Sequence, residues 1–342
     1  MKLLVTGGAG FIGSAFVRYL LTNRDDVQIV TLDKLTYAGN LENLAPIEGN
    51  PRHQFVHADI CDAAAVTAIL ADGSIDAVVH FAAESHVDRS ILSPGSAVET
   101  NVRGTATLLE AARTARTSRF LLVSTDEVYG SIEQPTEADE TFPLNPSSPY
   151  AASKAGADLL ALAYVKTYRM PVVITRGSNN YGPYQFPEKL IPLMISNALE
   201  RLPLPVYGDG LQVRDWMYVE DHCRGIFSAL TKGTEGAVYN IGGGNPLPNI
   251  EVIKRILKMT EAPESLITRV TDRPGHDRRY AIRVDKIARD TGFRPSVSFD
   301  DGLAATVEWY RKNTDWTSRV KSGEYRDYYQ RNYEWRSAGI QG

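Results

Sequence analysis

Lys2-Leu-Leu-Val-Thr-Gly-Gly-Ala-Gly-Phe-Ile-Gly13 joins a short apolar run to a glycine cluster and then to residues 11–21, where apolar side chains recur at helical spacing. A buried strand, a tight turn and a helix in that order read as a Rossmann-type start. Gly8, Gly10 and Gly13 fit the expected spacing, and Gly7, Gly10 and Gly13 fit a three-residue spacing equally well. In either register the glycines permit the turn, let backbone approach a pyrophosphate and let the helix pack close to the strand. The helix start then offers free N–H groups to the phosphates.

Strand-like and helix-like segments alternate outward from this stretch. Strands are expected at 27–32, 54–58, 77–81, 120–124 and 172–175, and helices at 63–70, 98–115 and 150–168. Such alternation predicts a doubly wound parallel α/β sheet with helices on both faces. After Arg176, Pro183, Pro187, Pro192, Pro203 and Pro205 break the pattern into shorter pieces. The expected organisation is an NAD-binding Rossmann domain over 1–176, rejoined by about 214–243 through a buried strand at 237–241. A smaller mixed α/β substrate-binding domain takes 177–213 and 244–342. The tail at 325–335, rich in Tyr, Arg and Glu, is expected to dock as an amphipathic end.

The 342 residues carry a formal charge of -4 and are 43% hydrophobic and 23% charged, which fits a globular chain with a real core. No basic excess supports nucleic-acid binding. Two cysteines, Cys61 and Cys223, outside any C-x-x-C pair, fit a reducing compartment. The first apolar run is too short for a signal-peptide core, and no stretch approaches the ~20 apolar residues of a membrane span, so a cytoplasmic protein is expected. None of the six histidines pairs at metal-ligand spacing, and no metal is expected. His276 is placed to touch a nucleotide; the others are read as structural.

Asp33 ends the second strand twenty residues after Gly13, where a carboxylate accepts hydrogen bonds from ribose hydroxyls and repels a 2′-phosphate. NAD is therefore expected, with Asp59 and Ile60 near the adenine. Tyr150 and Lys154 stand at i and i+4 on one helix face. The ammonium and a nicotinamide cation would both favour phenolate, so the Tyr150 pKa is expected to fall. Tyr150 is then a candidate base for a sugar or alcohol hydroxyl. Phe120-Leu-Leu-Val-Ser-Thr-Asp-Glu-Val-Tyr-Gly130 is a buried strand running into a loop. Its carboxyl end carries Asp126 and Glu127, a pair suited to separate acid and base roles.

The Tyr–Lys pair resembles that of the short-chain dehydrogenase/reductase superfamily, and the chain length and glycine pattern resemble its extended branch, which acts largely on nucleotide sugars. Ser124-Thr-Asp-Glu-Val-Tyr-Gly130 is similar to the signature of the nucleoside-diphosphate-glucose 4,6-dehydratases, most of all those acting on dTDP-glucose. Further similar strings run in order along residues 1–310: Asp33-Lys-Leu-Thr-Tyr-Ala-Gly-Asn40, Ala82-Ala-Glu-Ser-His-Val-Asp-Arg-Ser90, Ser178-Asn-Asn-Tyr-Gly-Pro183, Arg214-Asp-Trp216 and Asp272-Arg-Pro-Gly-His276. Sugar 4-epimerases of the superfamily lack the Asp–Glu pair after Thr.

The resemblance implies dehydration of dTDP-glucose to dTDP-4-keto-6-deoxyglucose. Tyr150 would take the C4 hydroxyl proton as the C4 hydride passes to NAD. Glu127 would take the C5 proton, Asp126 would protonate the leaving C6 hydroxyl, and the hydride would return to C6. Thr125 would hydrogen-bond the C4 hydroxyl, and Lys154 would hold the NAD ribose. The family's NAD positions map onto Gly7, Gly10, Phe11, Ile12 and Gly13, onto Asp33, Lys34, Leu35 and Thr36, and onto Asp59 and Ile60. Phe81, Ala82, Ala83, Ser85, Thr100, Tyr150, Lys154 and Asn180 complete that set. Position 81 is Phe where an aliphatic residue is common in the family. Substrate positions map onto Ser85, Thr125, Asn179, Lys189, Leu190, Pro205, Val206 and Tyr207, and onto Arg214, Asn249, Asp272, Arg273 and His276. The two arginines suit a diphosphate, which guanidinium binds bidentately. A homodimer joined through the helix at 150–168 is implied as well.

dTDP and UDP differ by one methyl on the base, and the residues leave that choice open. Two other readings stand beside dehydration. A 4-epimerase or decarboxylase would give no ketosugar. A non-catalytic NAD-binding regulator would have no use for Tyr150, Asp126 and Glu127.

Overall fold

A computed structural model describes residues 1–321. The tail at 325–335 lies outside the described residues. Six strands come first: β1 (Lys2–Thr6), β2 (Gln28–Asp33), β3 (His53–His57), β4 (Ala77–His80), β5 (Arg119–Thr125) and β6 (Val172–Gly177). Shorter ones follow: β7 (Asn179–Tyr181), β8 (Leu204–Tyr207), β9 (Val213–Tyr218), β10 (Val238–Ile241), β11 (Pro246–Pro248) and β12 (Ile267–Val270). The main sheet runs β10-β6-β5-β4-β1-β2-β3, and each neighbouring pair is parallel.

A parallel sheet covered on both faces needs strands that are apolar on both sides. Leu3-Leu-Val5 and Phe120-Leu-Leu-Val123 meet that need. Alternate residues feed two cores. Leu3, Val5, Leu121 and Val123 pack on one face with Phe16, Leu20 and Ile226. Leu4, Phe120 and Leu122 pack on the other with Leu108, Ala157 and Ala161. The strand order turns back on either side of β1, which adjoins both β2 and β4. That switch point opens a crevice at the carboxyl ends of the strands.

The sheet strands and the helices Phe11–Asn23, Ala63–Leu70 and Pro149–Tyr168 fall within two residues of the expected bounds. The expected helix at 98–115 is different. It is built from Pro94–Val98, a π-helical segment Glu99–Gly104, and Thr105–Ala115. Two contacts account for the wide turn. Asn101 is clamped through its amide to Glu84 N (2.8 Å), Glu84 O (3.0 Å) and Ser153 Oγ (2.8 Å). Gly104 lies against Ile60, whose Cδ1 would stand 2.5 Å from a Cβ there. Both are tertiary demands that hydrophobic periodicity does not carry. Such π segments often mark functional sites, and this one brings Thr100 to the crevice.

Beyond β6 the chain builds a second layer. β7, β9 and β11 form one small sheet, β8 and β12 another, and both pack with helices Leu190–Leu199, Asn249–Met259 and Phe299–Lys312 around Ile195, Trp216, Ile253 and Leu303. The return to the main sheet begins at Val219, later than the expected 214, because β9 belongs to the small sheet. Helix Val219–Lys232 and β10 make that return, and β10 pairs with β6. Among the described residues, no helix is long and apolar enough to cross a membrane, and no group of three or more His, Cys, Asp or Glu could hold a metal ion.

Candidate active site

The crevice is lined on one side by Gly7, Gly10, Phe11, Ile12 and Gly13. Gly8 does not line it, since Gly8 packs on the Thr31 side chain. The working register is therefore Gly7, Gly10 and Gly13. Gly7 has φ +71°, and a Cβ there would sit 2.5 Å from Ala82 N. A Cβ at Gly13 would collide with the Gly7 carbonyl. Gly10 caps the helix Phe11–Asn23 without a side-chain hydrogen bond, and the first turn holds no acidic residue. A helix start left open in this way suits an anionic diphosphate.

Asp33 ends β2 and is nearly buried. Its Oδ2 accepts from Ala9 N at 2.9 Å and its Oδ1 from Leu35 N at 2.8 Å. Burial raises its pKa, and these backbone N–H groups oppose the rise. Lys34 pairs with Asp59 at 2.6 Å. Thr36, Asp59, Ile60, Phe81, Ala82, Ala83, Ser85, Thr100 and Asn180 line the crevice as well. Leu35 does not. Its side chain packs against the apolar core beneath, and its contribution here is the N–H to Asp33.

Thr125, Asp126, Glu127, Tyr150 and Lys154 line the same crevice. Asp126 is 2% exposed and one of its oxygens, Oδ2, has no protein partner. Burial, then the charges of Glu127 and Asp215, push its pKa well above the usual carboxyl range. Glu127 is only half-buried, so the two carboxyls sit in different surroundings. Tyr150 is buried, and its pKa rises rather than falls. Burial and the Glu127 charge raise it, while a hydrogen bond with Thr125 opposes them. The Lys154 ammonium donates to Val123 O at 2.8 Å. Burial lowers Lys154 to about 8, against the pull of Asp158.

The expected substrate residues divide. Ser85, Asn179 and Lys189 line the crevice, with Lys189 Nζ donating to Ser85 O at 2.6 Å. Tyr207, Arg214, Asp272, Arg273 and His276 gather beyond Glu127. The Tyr207 hydroxyl donates to Asp88 Oδ2 (2.8 Å), and Arg273 Nη1 donates to Asp88 Oδ1 (3.2 Å). His276 Nδ1 lies 2.6 Å from Asp272 Oδ1. Arg214 stacks 4.1 Å from the Tyr280 ring centre, and the Tyr280 hydroxyl reaches Glu127 Oε2 at 3.5 Å. Asn249 begins its helix with a buried side-chain oxygen that has no protein partner. Leu190 opens the neighbouring helix, and Pro205 is a buried residue of β8. Val206 packs into the apolar core, so its side chain is not presented to a ligand.

Asp88, Tyr280 and His222 were not singled out by sequence reasoning. Asp88 sits within the quoted 82–90 string, which is the only signal it had. Tyr280 carried none. His222 lines the crevice although its residue type pointed to a structural role.

A parallel sheet with a glycine cradle at its switch point, and a Tyr–Lys pair facing that cradle, places the chain among the Rossmann-type short-chain dehydrogenases/reductases. The family model described as GDP-mannose 4,6 dehydratase matches residues 4–306. The dTDP-glucose 4,6-dehydratase of Shigella flexneri is 52% identical, over 98% of this chain and 100% of that one. The solved dTDP-glucose 4,6-dehydratase of Streptomyces venezuelae, described with NAD bound, is 54% identical with a TM-score of 0.91, over 94% of this chain and 100% of that one. A Thermotoga maritima UDP-glucose 4-epimerase structure is 30% identical with a TM-score of 0.85, over 92% of this chain and 100% of that one. The chain belongs to the nucleotide-sugar 4,6-dehydratases.

Proposed function

We propose that the chain converts dTDP-glucose to dTDP-4-keto-6-deoxyglucose with NAD as a retained cofactor. The observation that carries this reading is Asp126: a buried carboxyl, its pKa pushed up by its surroundings, next to the half-buried Glu127 and in one crevice with Tyr150. Relatives at about 50% identity that bear the dTDP-glucose name favour dTDP over UDP.

The residues present fit NAD. The uncapped helix start and Gly7, Gly10 and Gly13 would hold the pyrophosphate. Asp33 keeps lone pairs for ribose hydroxyls, and Lys34, Leu35, Thr36, Asp59 and Ile60 frame the adenosine end. Phe81, Ala82, Ala83, Ser85, Thr100, Lys154 and Asn180 would hold the rest. Bound NAD supplies the two-electron acceptor that takes up the C4 hydrogen and returns it at C6.

Tyr150 receives the C4 hydroxyl proton, guided by Thr125. It becomes a base only against a positive charge, because burial and Glu127 hold its phenol neutral in the chain by itself. A ketone at C4 acidifies C5–H, and Glu127 takes that proton. Asp126 gives its proton to the C6 hydroxyl, which departs as water. Glu127 returns a proton to C5, Asp126 regains one from solvent, and Tyr150 releases the C4 hydroxyl proton to solvent. Arg214 and Arg273 would clamp the diphosphate. Lys189, Asn179, Tyr207, Asn249, Asp272 and His276 would frame sugar and base, with Leu190, Pro205 and Val206 supplying backbone and shape.

The NAD-holding unit is then 1–176 with the return from 219 to 243, and the segments at 177–218 and 244–321 hold the sugar nucleotide. Leu92, Val98, Leu159 and Tyr168 are exposed apolar side chains on neighbouring helices. They support a homodimer built on Pro149–Tyr168, in a cytoplasmic enzyme. Light scattering at twice the chain mass would agree with the dimer, and a monomer would refute it.

The test of function is mass spectrometry of product from dTDP-glucose beside UDP-glucose. Loss of one water from dTDP-glucose, with slower turnover of UDP-glucose, is expected. An epimer of unchanged mass would overturn the proposal. Glu127→Gln is expected to keep NAD and lose ~10²–10⁴-fold in turnover.

A further inference from the structure

β6 carries a charge where an apolar side chain is expected. Val172 and Ile174 pack with Ala157 and Ala161 of helix Pro149–Tyr168. Side chains alternate along a strand, so residue 176 falls on that same face. It is Arg176, which is buried, and its Nε donates to Asp158 Oδ2 of the helix at 2.8 Å, with Asp158 buried too. A second donor, Nη1, reaches the Tyr129 hydroxyl at 2.8 Å, and the guanidinium stands 4.9 Å from the Tyr129 ring centre. The Tyr129 hydroxyl donates in turn to Asn240 Oδ1 on β10 at 2.8 Å. A buried ion pair gains little over well-packed apolar side chains, so stability does not account for this chain of polar groups.

The elements that the guanidinium joins do account for it. Tyr129 closes the short turn Asp126–Tyr129, whose first two residues are the acid and the base of elimination. Tyr150, Lys154 and Asp158 follow one another at four-residue intervals and share one helix face. One planar fork therefore ties the turn that eliminates water to the helix that serves oxidation at C4. Tyr129, Asp158 and Arg176 do not line the crevice themselves, so they act on the reaction only through the residues they hold. Asn240 is fixed separately, its Nδ2 donating to Ala138 O (3.0 Å) and Arg283 O (3.2 Å). Without Arg176 the turn keeps that support and loses its tie to the helix.

We propose that Arg176 is a positioning residue that keeps the Asp126–Glu127 turn in register with the Tyr150–Lys154 helix, so that elimination follows oxidation at C4 without delay. This rests on the dehydratase reading above. Between those two steps the C4 hydrogen resides on NAD, so a delay shows as the absorbance of reduced NAD during turnover of dTDP-glucose. The experiment uses the full chain with NAD and reads that absorbance beside kcat, KM and Tm. Tyr129→Phe cuts the tie and leaves the Arg176–Asp158 pair in place. It is expected to lower kcat about tenfold, keep KM within about threefold, and raise the fraction of reduced NAD several-fold. Arg176→Met cuts both links and is expected to lower kcat ~10²-fold with a further rise in that fraction. Arg176→Lys keeps the charge without the fork and is expected to fall between Arg176→Met and the parent. Tyr129→Phe is expected to add nothing in the Arg176→Met background. Variants that lose Tm but keep the parental fraction of reduced NAD would overturn the inference and leave the chain of polar groups as packing. Should Arg176→Met fail to fold, Tyr129→Phe decides alone, with a parental fraction again overturning it. A parent enzyme that forms no ketosugar would instead overturn the functional reading itself.

Discussion

The two ends of the crevice are made of different material. The cofactor end is built largely from backbone: an open helix start, three glycines and one carboxylate, drawn from a single strand-turn-helix-strand segment. The sugar-nucleotide end is built from charged side chains brought together from distant positions. Asp88, Tyr207 and Arg273 meet there, with Arg214, Tyr280 and Glu127 beside them. Backbone sites depend on shape, so one added carbon does damage. Side-chain sites depend on pairing, so one lost partner leaves a buried charge exposed to nothing.

The largest effect is expected at the glycine turn. Gly13→Ala sets a Cβ against the Gly7 carbonyl. NAD content should fall close to zero and turnover with it, with a stability loss of about 1–3 kcal/mol from overpacking. NAD released by acid and the urea midpoint check both. Parental NAD content would show that the helix–strand contact has slack. Arg273→Leu probes the other end. It takes one charged partner from Asp88 and removes a phosphate donor, so KM for dTDP-glucose should rise ~10–100-fold while NAD content stays parental. Steady-state kinetics with NAD assays separate the two. A KM rise accompanied by NAD loss would mean that the two ends are not independent.

The smallest effect concerns pH. Asp126 has a folded-state pKa above its unfolded value. Its protonated form is therefore favoured by folding, and the stability tied to it is full below the unfolded carboxyl pKa and is lost as pH rises through the folded value. Asp126→Asn cannot ionise. Its Tm should hold better than the parent's between mild acid and neutral pH, although its elimination rate collapses. Parallel Tm–pH curves for the two proteins would contradict a protonated Asp126.

These contrasts also explain what the sequence made legible. The parallel sheet followed from apolar runs such as Phe120–Val123, whose burial on both faces needs no further information. The cofactor end was legible because its parts are near neighbours in the chain, although Gly8 and Gly7 could be told apart only once Thr31 was seen to occupy one of them. The sugar-nucleotide end was legible only through resemblance, since nothing local links Arg214 to Arg273. Asp88 and Tyr280 act through partners more than a hundred residues away. The π-helical segment at 99–104 depends on Asn101 reaching Glu84 and Ser153, and the raised Tyr150 pKa depends on burial that Y-x-x-x-K spacing does not encode.

One crevice oxidises C4, eliminates water across C5 and C6, and returns the same hydrogen to C6 without release, in the proposed reaction. dTDP-glucose carrying deuterium at C4 tests it in a single mass spectrum of the product and its fragments. The expected product is lighter by one water and keeps the deuterium, now on C6. Product of unchanged mass, or dehydrated product that has lost the label, would contradict the account.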